Sequence, residues 1–216
     1  MFSDLAPYVL VIVVVALAVA FYFRPERDRG IRAIASIARK KIVDVKDGEV
    51  VRVVGKLALH GDPLLAPVSS RPCAFYEAKV EEKERDEDRT SWRTVVEEIR
   101  GTDFVLDDGS GVARIAMARA DVVVVHDSRH LEGFLSENAA PEVAKFLTRH
   151  GEKVAVDGKS RDLHYVEGVL EAPEEVAAAG KARWETDADG KKRLVIEPIN
   201  GSGRVLVSDE PGARRA

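Results

Sequence analysis

The chain has 216 residues, 33 basic and 37 acidic, for a net charge of −4 at neutral pH; the two signs are interspersed, so no broad basic face for nucleic acid is advertised. Its one cysteine, Cys73, excludes a disulfide within the chain and, by counting, a Cys₄ or Cys₂His₂ zinc site. Val and Ala dominate the apolar residues and aromatics make up 6%, a composition for strands more than for a ring-lined pocket.

Leu5 to Phe23 (LAPYVLVIVVVALAVAFYF) is nineteen residues without a charge. As a helix it would reach about 28 Å, close to the ~30 Å hydrocarbon core of a bilayer, with its backbone polar groups satisfied internally. Residues 5–23 are therefore expected to be a single transmembrane helix, with the lipid bilayer as a partner. A cleaved signal peptide competes, since Ala16, Ala18 and Ala20 offer small residues near its end, but the N-terminus carries only Asp4 and the α-amino group where a basic region belongs. The cations follow instead: Arg24, Arg27, Arg29, Arg32, Arg39, Lys40 and Lys41. They put the body of a single-pass cell-membrane protein on the cytoplasmic side, although Glu26 and Asp28 among the arginines keep the opposite face open.

Residues 24–46 form a basic juxtamembrane helix or linker. From Gly30 to Lys46, Ile31, Ile34, Ala35, Ala38, Ile42 and Val45 recur at helical spacing. Two placements fit such a helix: along the headgroups, its cations drawn to anionic lipid by about 1 kcal/mol each, or packed on its own domain.

From Asp47 the pattern turns to short β-type runs, and 47–209 is expected to be one β-rich domain. Strands are predicted over Glu49–Leu59, Ala74–Glu82, Trp92–Ile99, Asp103–Leu106, Val112–Met117 and Asp121–Val125, with EKERDEDRTS as a solvated hairpin tip between the second and third. In Asp107-Asp108-Gly109-Ser110-Gly111 both glycines can take positive φ and close a turn. One soluble helix is marked by Pro141 at its first position, Glu142 for the dipole, and Arg149-His150-Gly151 as last turn and stop; Val143, Phe146 and Leu147 are its apolar stripe. Strands then return around Val154 and Tyr165, over Val176–Trp184, Arg193–Ile196 and Arg204–Val207, with a turn at Asp189-Gly190; 210–216 is a tail. GEVVRVVGK at 48–56, GEKVAVDGK at 151–159 and PEEVAAAGK at 173–181 share Glu, Val and Gly-Lys at fixed offsets. A glycine near the end of equivalent strands suits the sharp bending of a coiled barrel.

Catalytic chemistry finds little support. Of His60, His126, His130, His150 and His164 only His126 and His130 stand four apart, without a zincin-type Glu, after a strand rather than within a helix. Cys73 lies between Pro72 and Ala74 with no histidine near in sequence, and reads as a small buried hydrophobe. No P-loop lysine accompanies the DDGSG glycines, and there is no Gly-x-Ser-x-Gly elbow. No catalytic residue, metal site or cofactor is expected.

One order of residues is distinctive. A strand with Gly55 leads to Leu65-Ala66-Pro67-Val68-Ser69-Ser70-Arg71-Pro72-Cys73-Ala74-Phe75-Tyr76, then a charged insertion, Trp92, and Phe104-x-Leu106-x-Asp108-x-x-Gly111; later come Tyr165-Val166-Glu167 and Glu175–Gly180. Spanning about Val50 to Val207, this resembles the GIDE-type, or beside-a-membrane, domain, best known from mitochondrial outer-membrane RING-type ubiquitin ligases and present in bacteria and archaea. The resemblance marks Gly55, Leu65, Pro67, Pro72, Cys73, Tyr76, Phe104, Asp108, Gly111, Tyr165, Glu167 and Gly180 as family-motif residues of structural or binding role. Ubiquitin ligation there belongs to a C-terminal RING holding two zincs through Cys and His, which one cysteine cannot supply. The second membrane helix that usually follows the domain is also missing after Val207. In the mitochondrial members the domain faces the intermembrane space, against the charge reading above.

The expectation is a mainly β fold, an OB-like barrel with one or two helices (α+β), behind one N-terminal transmembrane helix. It would serve as an interaction or sensing module at the membrane surface, with an unknown protein or small-molecule partner, no nucleic acid and no catalysis of its own. The alternative is a ubiquitin-ligase-like component that needs a separate RING partner.

Overall fold

A computed structural model of the chain describes residues 26–86, 89–125, 141–153, 155–156, 159–186, 190–199 and 203–215. The expected transmembrane helix, residues 5–23, and the His126/His130 pair lie outside the described residues. Among the described residues no helix is long and apolar enough to cross a membrane.

The chain opens with α1 (Glu26–Ser36), which is shorter than the expected run to Lys46. Ile34 and Ile42 share a helical stripe in the sequence but go to different places. Ile34 packs on the outer wall with Val54, Ala177, Ala179 and Ala213, whereas Ile42 enters the main core. The chain between them therefore extends: Ala38 O accepts the Arg52 N–H and the Lys40 N–H donates to Arg52 O, both at 3.0 Å, before a 3-10 turn over Ile42–Asp44. Of the two placements open to the juxtamembrane helix, α1 takes the one against its own domain.

The body is mainly β. In chain order the strands are β1 (Val50–Leu59), β2 (Leu64–Leu65), β3 (Pro72–Cys73), β4 (Phe75–Asp86), β5 (Arg89–Gly101), β6 (Phe104–Asp107), β7 (Val112–Ile115) and β8 (Ala120–Val123). After α2 (Pro141–Arg149) come β9 (Ala155–Val156), β10 (Lys159–Ser160), β11 (Leu163–Leu170), β12 (Glu175–Thr186), β13 (Lys192–Glu197), β14 (Val205–Ser208) and α3 (Pro211–Arg214). Five strands close on themselves in the order β1-β6-β7-β13-β12-β1; every pairing is antiparallel except β7 with β13, and β14 and β8 extend the sheet from β12. Closure removes sheet edges and leaves alternate side chains to fill the interior. Val51, Val53, Leu57, Phe104, Leu106, Ile115, Leu194 and Ile196 do so.

Two of the three echoed nonapeptides become neighbours. β1 and β12 pair antiparallel with Gly55 opposite Val176 and Val51 opposite Gly180, and each begins with one exposed residue followed by five buried ones. Each changes partner near its glycine, β1 from β12 to β6 and β12 from β1 to β13. A Cβ on Gly55 would stand 2.6 Å from the Asp107 carbonyl oxygen, and one on Gly180 2.5 Å from that of Glu197. The glycines are there because a strand crosses over bare backbone. The third copy has no equivalent place: it follows α2, and the expected strand centre Val154 is outside the described residues beside the two-residue β9.

A second layer comes from two insertions. β4 and β5 interrupt the chain between β1 and β6, α2 and β11 interrupt it between β7 and β12, and together they build a three-stranded sheet, β11-β4-β5. Val143, Phe146 and Leu147 of α2 pack there with Tyr76, Ala78, Val80, Val96 and Tyr165. The expected charged hairpin tip is mostly ladder instead: β4 runs to Asp86 and β5 begins at Arg89. Alternation of charge makes this possible, since Arg93 reaches Glu82 and Glu84 on the facing strand at 2.6 Å each. The expected tail also folds. α3 tucks Ala213 against Ile34 with no exposed surface, and Arg27 of α1 pairs with Glu210.

Candidate functional site: a buried polar seam beneath the 65–73 loop

The family-motif residues gather in two places. Gly55, Asp108 and Gly111 meet at one mouth of the barrel. Asp108 Oδ2 accepts the Ile42 N–H at 2.8 Å, and Oδ1 accepts the Ser110 N–H and hydroxyl and the Gly111 N–H. Burial opposes charge on this carboxyl, but the four donors outweigh it and hold its pKa below the ordinary value. Gly109 has φ +79, as a turn requires; Gly111 does not, and is glycine because a Cβ would lie 2.8 Å from Ile42 Cγ2. The expectation of positive φ at both positions is thus corrected at Gly111. Phe104 is wholly buried in the barrel and Gly180 belongs to the crossing described above. These residues build the fold.

The other group surrounds the second layer. Leu65 projects into solvent from β2, Pro67 starts the turn over 67–69, and Pro72 and Cys73 return along β3, opposite Leu65 and Leu64. Beneath them run two tyrosine–carboxylate pairs. Tyr165 donates its phenol to Glu167 Oε1 at 2.7 Å, and the Val68 N–H donates to the same oxygen at 3.3 Å, which ties the loop to β11. Glu167 is 3% exposed; its Oε2 has no hydrogen-bond partner among the described residues and lies 4.0 Å from Arg71 Nη2. Tyr76 donates to Glu98, which also receives Arg149 Nη2 at 2.8 Å and His150 Nε2 at 2.7 Å, with Arg100 Nε at 3.1 Å.

Electrostatics follows from this geometry. Burial, then the hydrogen bond and charge of Glu98, push the Tyr76 phenol up to about 12. Burial and Glu167 raise Tyr165 further in the same direction. At Glu98 burial favours the neutral acid, but Tyr76, His150 and the two arginines win, and its pKa lies below the ordinary carboxylate value. Cys73 is fully buried, with its thiol 3.8 Å from the Leu64 carbonyl; burial and then Glu167 push it up to about 11. The thiolate that a nucleophile needs is disfavoured there. Among the described residues no three His, Cys, Asp or Glu side chains come together as a metal ion would require.

Sequence reasoning named Tyr76, Cys73, Tyr165 and Glu167 but not Glu98, Arg71 or His150 as their partners. Glu98 was detectable: it stands two residues from the buried Val96, so strand alternation turns its carboxylate inward. Comparison of the chain with protein-family models, with curated proteins and with solved structures found no match.

Proposed function

We propose that this chain is a membrane-anchored module of GIDE type, an OB-like barrel held at the bilayer surface for interaction or sensing and doing no chemistry of its own. The observation that carries the reading is the docking of α1. Two residues, Arg24 and Pro25, separate the apolar run ending at Phe23 from Glu26, and α1 is fastened to the barrel wall through Ile34 and the Arg27–Glu210 pair. A helix of 5–23 in lipid then leaves the barrel no slack, and the body sits against the headgroups.

Two further features support the proposal. Strand order β1-β6-β7-β13-β12 with a parallel β7–β13 pairing follows the Greek-key closure of a five-stranded OB-type barrel. The motif residues Tyr165 and Glu167 pin a surface loop to β11, and Tyr76 joins β4 to β5 through Glu98, a structural use that suits a binding scaffold. Alkaline carbonate extraction of membranes tests the anchor: the wild-type chain is expected in the pellet, and its recovery in the supernatant would end this reading. Protease accessibility of the body in intact cells then reports which face it occupies, with the cytoplasmic face expected from the arginines.

A further inference from the structure

The cations that follow α1 are not spread over a helical face. Arg39, Lys40 and Lys41 lie over the outer side of β1 and, with Lys56, wall an open cavity of about 450 Å³ that Val54 and Gly55 also line. Three carboxylates share the lining, and each is engaged. Glu175 pairs with Arg214 at 3.1 Å, Asp108 is taken up by the turn amides, and Asp107 receives the Gly109 N–H at 2.8 Å and stands opposite Lys56 in register. The cations are less well provided. Among the described residues, Lys40 pairs with Glu49, Arg39 reaches only a carbonyl, that of Arg214 at 3.4 Å, and Lys41 and Lys56 have no side-chain partner.

Two residues before Val54 on β1 stands Arg52, 3% exposed, bonded through Nη1 to the carbonyls of Ala213 and Arg215 and, among the described residues, to no carboxylate. Burial, then the charge of Arg39, shift its guanidinium below the ordinary value. Like charges so placed repel one another, and the three carboxylates of the lining leave its four cations one positive charge in excess. An anion bound among these cations would relieve that repulsion.

We propose that this cavity binds a phosphate-bearing anion, with Lys41, Lys56 and Arg39 as its ligands. A phosphate supplies the acceptor oxygens these donors lack, and ~450 Å³ is within the range of small-molecule sites. The proposal rests on the sensing-module reading and gives that module its ligand class. The phosphate belongs either to a soluble molecule or to a phospholipid headgroup.

Isothermal titration of the full chain in neutral detergent with inorganic pyrophosphate is the test. Saturable binding is expected, weakened about tenfold or more by Lys41→Ala with Lys56→Ala. Asp107→Asn keeps an oxygen for the Gly109 N–H but removes a negative charge from the wall, so it is expected to tighten binding. No saturable heat, or affinity indifferent to these variants, would overturn the site. In nanodiscs of matched negative charge, equal pyrophosphate affinity in phosphatidylglycerol and in a phosphate-free glucuronosyl lipid assigns the phosphate to a soluble molecule. Affinity weakened only in phosphatidylglycerol assigns it to a headgroup that competes for the pocket. Carbonate extraction separates the two claims: pyrophosphate binding by an extractable chain keeps the site and loses the anchor, and a retained chain that binds none does the reverse.

Discussion

A phenol buried against a carboxylate must keep its proton, because losing it would place two negative charges side by side out of water. Tyr76 on Glu98 and Tyr165 on Glu167 are both in this position. For Tyr76 the ordinary value of 10.0 rises to about 12, so the folded state binds the proton more tightly than the unfolded chain does. Its contribution is full below pH 10 and is lost as pH climbs toward about 12. Urea midpoints measured at pH 8 and pH 11 are expected to fall at the higher pH, and the fall should shrink in Tyr76→Phe. That variant is expected to cost about 1–3 kcal/mol at pH 8, since Glu98 loses a donor while staying buried. Glycines make a second test at this scale. Gly55→Ala and Gly180→Ala each force a methyl onto a carbonyl at 2.6 and 2.5 Å, and each is expected to lower stability by about 1–3 kcal/mol in denaturant titrations. Cys73, fully buried and pushed up to about 11, is expected to react with a thiol reagent at neutral pH only as fast as the domain opens.

At the scale of elements, α1 and α3 form a clasp on the barrel wall. Truncating its central side chain, Ile34→Ala, is expected to cost about 2–4 kcal/mol, measurable as a lower thermal midpoint of the detergent-solubilised chain. The clasp also shows where sequence periodicity stops informing. The strands were legible because β-branched runs bounded by glycine alternate, and α2 because proline, glutamate and a glycine stop frame its apolar stripe. The end of α1 was not, because Ile34 and Ile42 keep a helical interval although one belongs to the outer wall and the other to the core. The charged hairpin departs from its expected form for a related reason. Composition suggested a solvated tip, whereas cross-strand pairs such as Arg93 with Glu82 exist only once the partner strand is in place. In the polar seam the tyrosines and Glu167 were visible as a motif, but their joining to Arg71, Glu98 and His150 depends on two insertions from distant parts of the chain meeting in one sheet.

At the scale of the whole molecule, the barrel and the second layer share one continuous chain path but separate cores, with Ala74, Phe75 and Leu170 at one end of the second sheet reaching into the barrel's interior. In the proposed anchored state, Val14→Arg is expected to oppose insertion by about 2.5–3.5 kcal/mol and to move protein from the carbonate-resistant pellet to the supernatant. The same clasp has a practical corollary. Because Arg27 and Glu210 touch, the last described residues lie beside the first. In the proposed anchored state, a fluorophore coupled at Arg215 after its replacement by cysteine would fall within reach of quenchers carried on lipid headgroups.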